Sequence, residues 1–219
     1  FRRVLFRSGQ VAAGQASISQ SGSTLNINQT SQRAVLDWST FNVGKDATVN
    51  FQQPNAQSAT LNRVNDMQPS QIFGRITAPG QVILVNPEGV YFGKSSSVDV
   101  GGLVATTHTA VANEYLKGQL KFNRNGATGS VVNEGELRSA LGGYIALLAP
   151  EIRNEGYLLA RKGPNNAVAL ASGEQITLDF KGNSLMSVNV DVATYKGLIE
   201  NKRVVEVNGG LVVIAAGSA

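Results

Sequence analysis

The chain repeats itself, and that repetition limits its folds more than any other feature. The run GQVILV at residues 80–85 resembles GYIALL at 143–148, an offset of 63, and GGLVVI at 209–214 resembles GGYIAL at 142–147, an offset of 67. Each offset divides by three into units of about 21–22 residues. Shorter offsets agree: VNEG at 132–135 recurs as RNEG at 153–156 after 21, and Ala146-Leu147 recurs as Ala169-Leu170 after 23. Units of this size cannot bury their apolar face alone and must stack on their neighbours, as the coils of a β-solenoid do.

The local pattern agrees with stacked strands. Short β-branched runs are separated by Gly, Asn or Pro, at Ala16 to Ile18, Thr24 to Ile27, Thr48 to Phe51, Gln81 to Val85, Val98 to Val100, Tyr144 to Leu148, Ala167 to Leu170, Ile176 to Phe180 and Leu211 to Ile214. Helical periodicity is confined to His108 to Leu116 and Val192 to Glu200, each enough for a couple of turns outside a β scaffold, with Gly197 weakening the second. The 24 glycines fit corners that need positive φ. A β-sandwich would account for the strands but would not require a spacing of 21–23 residues. The expected fold is therefore all-β, a parallel β-helix with an N-terminal β cap and short extra-helical elements.

A solenoid exposes an unpaired strand edge at each end unless something covers it. Residues 9–60 alternate well but repeat poorly, as in Leu25 to Gln29 and Val49 to Gln52, which predicts a cap there and coils over 61–219. The run Gly210 to Gly217 stops in the middle of a coil-like stretch, so the natural chain is expected to continue. Residues 1–8, FRRVLFRS, have too short an apolar run for a signal peptide and are set aside as a non-native or disordered leader.

Charge narrows the function. Arg2, Arg3 and Arg7 hold three of the 19 basic side chains, which leaves 16 against 15 acidic ones in the rest of the chain. A nucleic-acid binder needs a concentrated basic face, and none follows Arg7. With no Cys and one His, there is no thiol nucleophile and no His/Cys cluster for a metal. No regularly spaced acids form a Ca²⁺ loop, and neither a metal nor a cofactor is expected. Asp99, Asp179 and Asp191 stand apart, whereas glycoside cleavage needs two carboxylates facing one sugar. His108 lies in a Thr-rich stretch and reads as a solvated loop residue, so no enzyme is expected.

Several ordered motifs are more specific. LNRV at 61–64, PSQIFG at 69–74, GQVILVNPEGVYFG at 80–93, GGLVATT at 101–107 and WSTFNVG at 38–44 together closely resemble the filamentous haemagglutinin N-terminal domain. This is the secretion domain of two-partner secretion exoproteins, and the likeness is greatest to the high-molecular-weight adhesin type. It extends over about residues 10–217. The resemblance implies a right-handed parallel β-helix at the start of a longer exported protein of a Gram-negative bacterium. It implies recognition in the periplasm by the POTRA domains of a dedicated outer-membrane transporter of the TpsB type. Folding at the cell surface would then be nucleated by this domain, a monomer, with the host-cell surface engaged through the full-length protein. The alternative is that the module itself binds host cells or glycans.

The family's NPNG secretion motif falls on Asn86, Pro87, Glu88 and Gly89, with Glu88 departing from it. The tetrad is also a good type I turn, Asn first, Pro second and Gly fourth, so a corner and a secretion signal both stand as readings. Asn42 and Asn62 join Asn86 as candidate recognition points for the transporter, against their ordinary use in capping strand edges. Trp38, Phe41, Phe73 and Phe92 read as packing, and Arg63 and Arg75 as donors to backbone carbonyls in the cap or as solvated surface.

Overall fold

The computed structural model describes residues 6–7, 9–161, 163 and 165–217. Its strands wind into three parallel faces. Face one stacks Arg33–Trp38, Ala59–Val64, Gln81–Val85, Gly102–Thr106, Tyr144–Leu148, Ala167–Ser172 and Leu211–Ala216. Face two stacks Thr24–Gln29, Thr48–Gln52, Arg75–Thr77, Ser97–Val100, Glu136–Ser139, Tyr157–Ala160 and Val205–Val207. Face three stacks Ser70–Ile72, Gly89–Phe92, Ser130–Asn133, Glu151–Asn154 and Leu198–Asn201. Each coil visits faces one, three and two in turn, which makes the molecule a parallel β-helix.

Stacking in register turns the repeat into ladders. Leu36, Asn62, Leu84, Ala105, Leu147, Leu170 and Ile214 occupy one rung position in successive coils of face one. Of these, Leu36, Leu84, Ala105, Leu147 and Leu170 belong to the interior cluster. Fully burying an aliphatic side chain of the Leu, Ile or Val kind is worth about 1.5–3 kcal/mol, so such ladders supply most of the drive to stack.

The offsets of 63 and 67 span two coils each rather than three. Val82 pairs with Leu103 and Leu103 with Ile145, steps of 21 and 42 residues. Ile145 pairs with Val168 and Val168 with Val212, steps of 23 and 44 residues. The long steps carry excursions that leave the helix after face one. Thr109–Ala110, Leu120–Asn123, Gln175–Lys181 and Ser184–Val190 join as a four-stranded antiparallel sheet. This outer sheet lies over face one, so Ile83, Val104, Ala146 and Ala169 are buried beneath Phe122, Ile176 and Leu178 in a second core. Face one therefore reads as continuous apolar runs, because it is covered on both sides.

The cap is shorter than the sequence pattern suggests. Between strands that both lie in residues 9–60, antiparallel pairs are only Gln10–Ala13 on Arg33–Trp38 and Ala16–Ser21 on Thr24–Gln29. Thr24–Gln29 already pairs in parallel with Thr48–Gln52, so its alternation is that of a coil. Of the leader expected over residues 1–8, Phe6 and Arg7 pair antiparallel with Thr40 and Phe41, and the rest lies outside the described residues. All nine expected strand runs fall inside strands, although Ile176 to Phe180 belongs to the outer sheet. Of the two expected helical stretches, Ala112–Leu116 is helical, whereas Val192 to Glu200 runs into the strand Leu198–Asn201. There Leu198 N–H donates to Pro150 O at 3.0 Å. A Cβ on Gly197 would sit 2.5 Å from Ser172 Oγ, so the chain passes too close to the coil to wind a helix.

Candidate functional site

Asn86 ends the face-one strand Gln81–Val85 and begins the corner that leads to face three. Its carbonyl accepts from Gly89 N–H at 2.9 Å, and its Oδ1 accepts from Glu88 N–H at 3.0 Å. The first closes the expected β-turn, and the second adds an Asx turn inside it. The amide also ties coils together: Nδ2 donates to Gln68 O at 3.1 Å and to Ser70 Oγ at 3.0 Å in the coil before. Asn86 N–H donates to Thr106 O at 3.0 Å in the coil after.

The rest of the tetrad is shaped by the same stack. Gly89 has φ +126°, and a Cβ there would stand 2.8 Å from Ser130 O, its rung partner in the next coil. Only a residue without a side chain fits that place without strain. Asn86 and Gly89 are buried, Pro87 is half-buried and Glu88 is exposed. From outside, the folded corner presents Pro87 and the Glu88 carboxylate, while the Asn86 amide is consumed within.

Asn62 lies elsewhere, in the interior ladder. Its Oδ1 accepts from Trp38 Nε1–H at 3.0 Å, and its Nδ2 reaches Thr60 O and Ile83 O, both at 3.3 Å. It satisfies the one polar atom of a tryptophan buried to 1% exposure. Asn42, half-buried, accepts from Gln71 N–H at 2.8 Å, which ties the chain before the first full coil to the edge of face three. The structure thus distributes the three expected asparagines over a corner, the interior and a strand edge.

Trp38, Phe41 and Phe92 are core residues, and Phe73 is half-buried against Tyr91, ring centroids 5.7 Å apart. Two other expectations are corrected. Arg63 donates through Nε and Nη2 to the two oxygens of Asp37, at 2.7 and 2.8 Å, rather than to cap carbonyls, because the parallel register sets the two side by side. His108 is fully buried rather than solvated, since it roots the first excursion under the second. Its Nε2–H donates to Gly173 O at 2.7 Å and its Nδ1 accepts from Thr107 Oγ1 at 3.3 Å, a tautomer that the carbonyl partner dictates. Burial lowers its pKa and keeps it neutral.

Beside it, Arg124 and Glu174 join the two excursions at 2.9 Å. The Arg124 guanidinium, with help from Thr194, holds the Glu174 carboxyl down at about 2. Two further features escaped the sequence reading. Asn133 and Asn154 were visible as a repeat, but Asn201 completes their ladder only after an excursion. Tyr115 sends its hydroxyl from the short helix to Ala59 O at 2.7 Å and Ala34 O at 3.2 Å, pinning the excursion to face one. Among the described residues no group of three or more His, Cys, Asp or Glu could hold a metal ion.

Among known families, the chain matches the model of the TPS secretion domain over residues 4–219. It is similar to the heme/hemopexin-binding protein of Haemophilus influenzae, at 30% identity over 210 residues, which are 93% of this chain and 23% of that protein. A second Haemophilus influenzae heme/hemopexin-binding protein is 36% identical over 111 residues, 51% of this chain and 12% of that one. The chain therefore spans about a quarter or less of the length of these curated relatives. Among solved structures, the HMW1 secretion domain from Haemophilus influenzae matches with a TM-score of 0.84 at 25% identity, over 96% of this chain and 57% of that one. The filamentous hemagglutinin secretion domain matches with a TM-score of 0.55 at 15% identity, over 93% of this chain and 77% of that one, a likeness of fold alone.

Proposed function

The chain belongs to the family of TPS, or two-partner secretion, domains, and from that premise we propose that it is read as an unfolded chain by its transporter and then seeds a β-helix outside the cell. Domains of this family are secretion modules rather than enzymes, they pair with a transporter of the TpsB type, and their exoproteins are secreted from Gram-negative bacteria. For this chain the proposed partner is the set of POTRA domains of such a transporter, met in the periplasm. The exoprotein would be of the adhesin or haemagglutinin type.

The observation that carries the proposal is the state of the Asn86 amide. Its Nδ2 donates twice into the stack, to Gln68 and Ser70, and its Oδ1 is engaged by Glu88 within the turn. A partner that uses this amide must meet it before the coils close, in an extended segment whose polar groups are still free. The two ends of the stack support the seeding step. Gln10–Ala13 and Ala16–Ser21 cover one end with antiparallel strands. With that end covered, coils can be added only at the other, where a strand edge is a template for pairing. Pairing outside the cell would bias transit outward without a nucleotide.

The test is secretion of the domain, with a signal peptide and its transporter supplied, comparing wild type with Asn86→Ala and Asn62→Ala. Both variants are also refolded in vitro. The proposal expects Asn86→Ala to be held in the periplasm even where its purified form refolds. Export of a refoldable Asn86→Ala at the wild-type rate would remove the amide from recognition. Export of a variant unable to form the β-helix would remove folding from the driving force.

A further inference from the structure

Where each coil turns from face three into face two, one residue stands at the corner in register. Phe92, Asn133, Asn154 and Asn201 are rung partners, so Gly93, Glu134, Glu155 and Lys202 follow one another up the flank. With Lys94, Tyr157 and Arg203, the last three line a groove of about 400 Å³.

The groove is built as more than a structural corner. Tyr157 projects from face two and remains 48% exposed, while Leu158 and Ala160 of the same strand are buried. Arg203 lies over its ring, 5.8 Å from the centroid. The Glu134 carboxylate is held by the Tyr91 hydroxyl at 3.0 Å, and Tyr91 is itself braced edge-on by Phe73. Desolvation, then the bond to Glu134, raises the Tyr91 pKa, so this phenol stays a donor. Glu155 is held by Lys202 at 3.1 Å. Lys94 and Arg203 have no carboxylate partner among the described residues. An aromatic ring, two oriented carboxylates one coil apart and two cations without a carboxylate partner therefore converge on one groove.

We propose that this groove binds an acidic saccharide, a short run of sugar units bearing a carboxylate. The exposed part of the Tyr157 ring that Arg203 leaves open packs on the apolar face of a sugar ring, Glu134 and Glu155 accept from ring hydroxyls, and Lys94 and Arg203 receive the carboxylate. Strands stacked roughly 4.8 Å apart put about 14 Å between the first and last of these four coils, the length of about three sugar units. A simple anion would match the cations but offer no donor to the two carboxylates, and a neutral sugar would leave both cations unmatched. This binding is independent of secretion and gives chemical content to the glycan alternative drawn from the sequence.

The chain is titrated calorimetrically with a hyaluronan hexasaccharide, with neutral chitohexaose and with a hexaglutamate peptide. Saturable binding of the hyaluronan fragment is expected, at least about tenfold tighter than either control and weakened at least about tenfold by Tyr157→Ala. Lys94→Gln, at an exposed position, is expected to weaken it severalfold without changing the melting temperature, and it decides the matter if Tyr157→Ala fails to fold. Absence of saturable binding overturns the site, as does equal binding of either control. Hyaluronan binding unchanged by Lys94→Gln, or by a folded Tyr157→Ala, overturns it too.

Discussion

Asn133 donates its side-chain amide to Asn154 Oδ1 at 2.8 Å, one coil on, and Asn154 donates in turn to Asn201 Oδ1 at 2.7 Å. Asn133 and Asn154 are fully buried, whereas Asn201 is exposed. Asn154→Ala leaves a buried donor on Asn133 without its acceptor and is expected to cost about 1–3 kcal/mol. Asn201→Ala should cost less, since removing an exposed side chain opens the Asn154 amide to water. Urea unfolding checks both, with the midpoint shifting and the slope unchanged.

Asn62→Leu would keep the size of the interior rung but strand the Trp38 indole N–H. The expected loss is again about 1–3 kcal/mol, from one buried donor without a partner. Trp38 is the chain's single tryptophan, so its fluorescence reports this site alone. A red-shifted native emission would show water entering to replace the amide.

At the corner, two substitutions should separate cleanly. Gly89→Ala forces a Cβ against Ser130 O at positive φ and is expected to destabilise by about 1–3 kcal/mol. Glu88→Asn changes only an exposed side chain and should stay within about 0.5 kcal/mol of wild type. If export responds to Glu88→Asn while thermal stability does not, the folded or unfolded corner is contacted directly.

Acidification should weaken the molecule through His108 before it reaches the carboxylates. The native pKa of His108 is depressed below 6.5, so the unfolded chain takes up a proton that the native chain refuses. Stability is full above about pH 6.5 and falls as pH drops through that value toward the native one. Glu174, held at about 2 against an ordinary 4.5, adds its own loss only below 4.5. His108→Gln should flatten the stability profile between about pH 7 and 5, and the ring resonances of this single His should not titrate near its ordinary value.

Much of the fold is legible in the residues, because register leaves a direct trace in sequence. Gln81 to Val85 and Tyr144 to Leu148 look alike since each fills the same two-sided slot under the outer sheet. The number of coils was not legible, because an excursion of about one coil's length imitates an extra repeat. His108 read as solvated because its neighbours are Thr, whereas its cover comes from Gly173, 65 residues away. The Asn86 turn could be read from its four residues alone. The bonds to Gln68, Ser70 and Thr106 that bury it depend on stacking, and no local pattern announces them.

The outer sheet imposes an order in time on any folding that runs from one end of the chain to the other. Most coils close on a predecessor some 21–26 residues back, so each can set soon after it appears. In a chain that folds from its N-terminus, Leu120–Asn123 must wait for Gln175–Lys181, and His108 for Gly173. The first excursion is thus an unfinished edge until the second pairs with it. Its closure needs about the first 180 residues to be present, which makes it the longest-range strand pairing among the described residues.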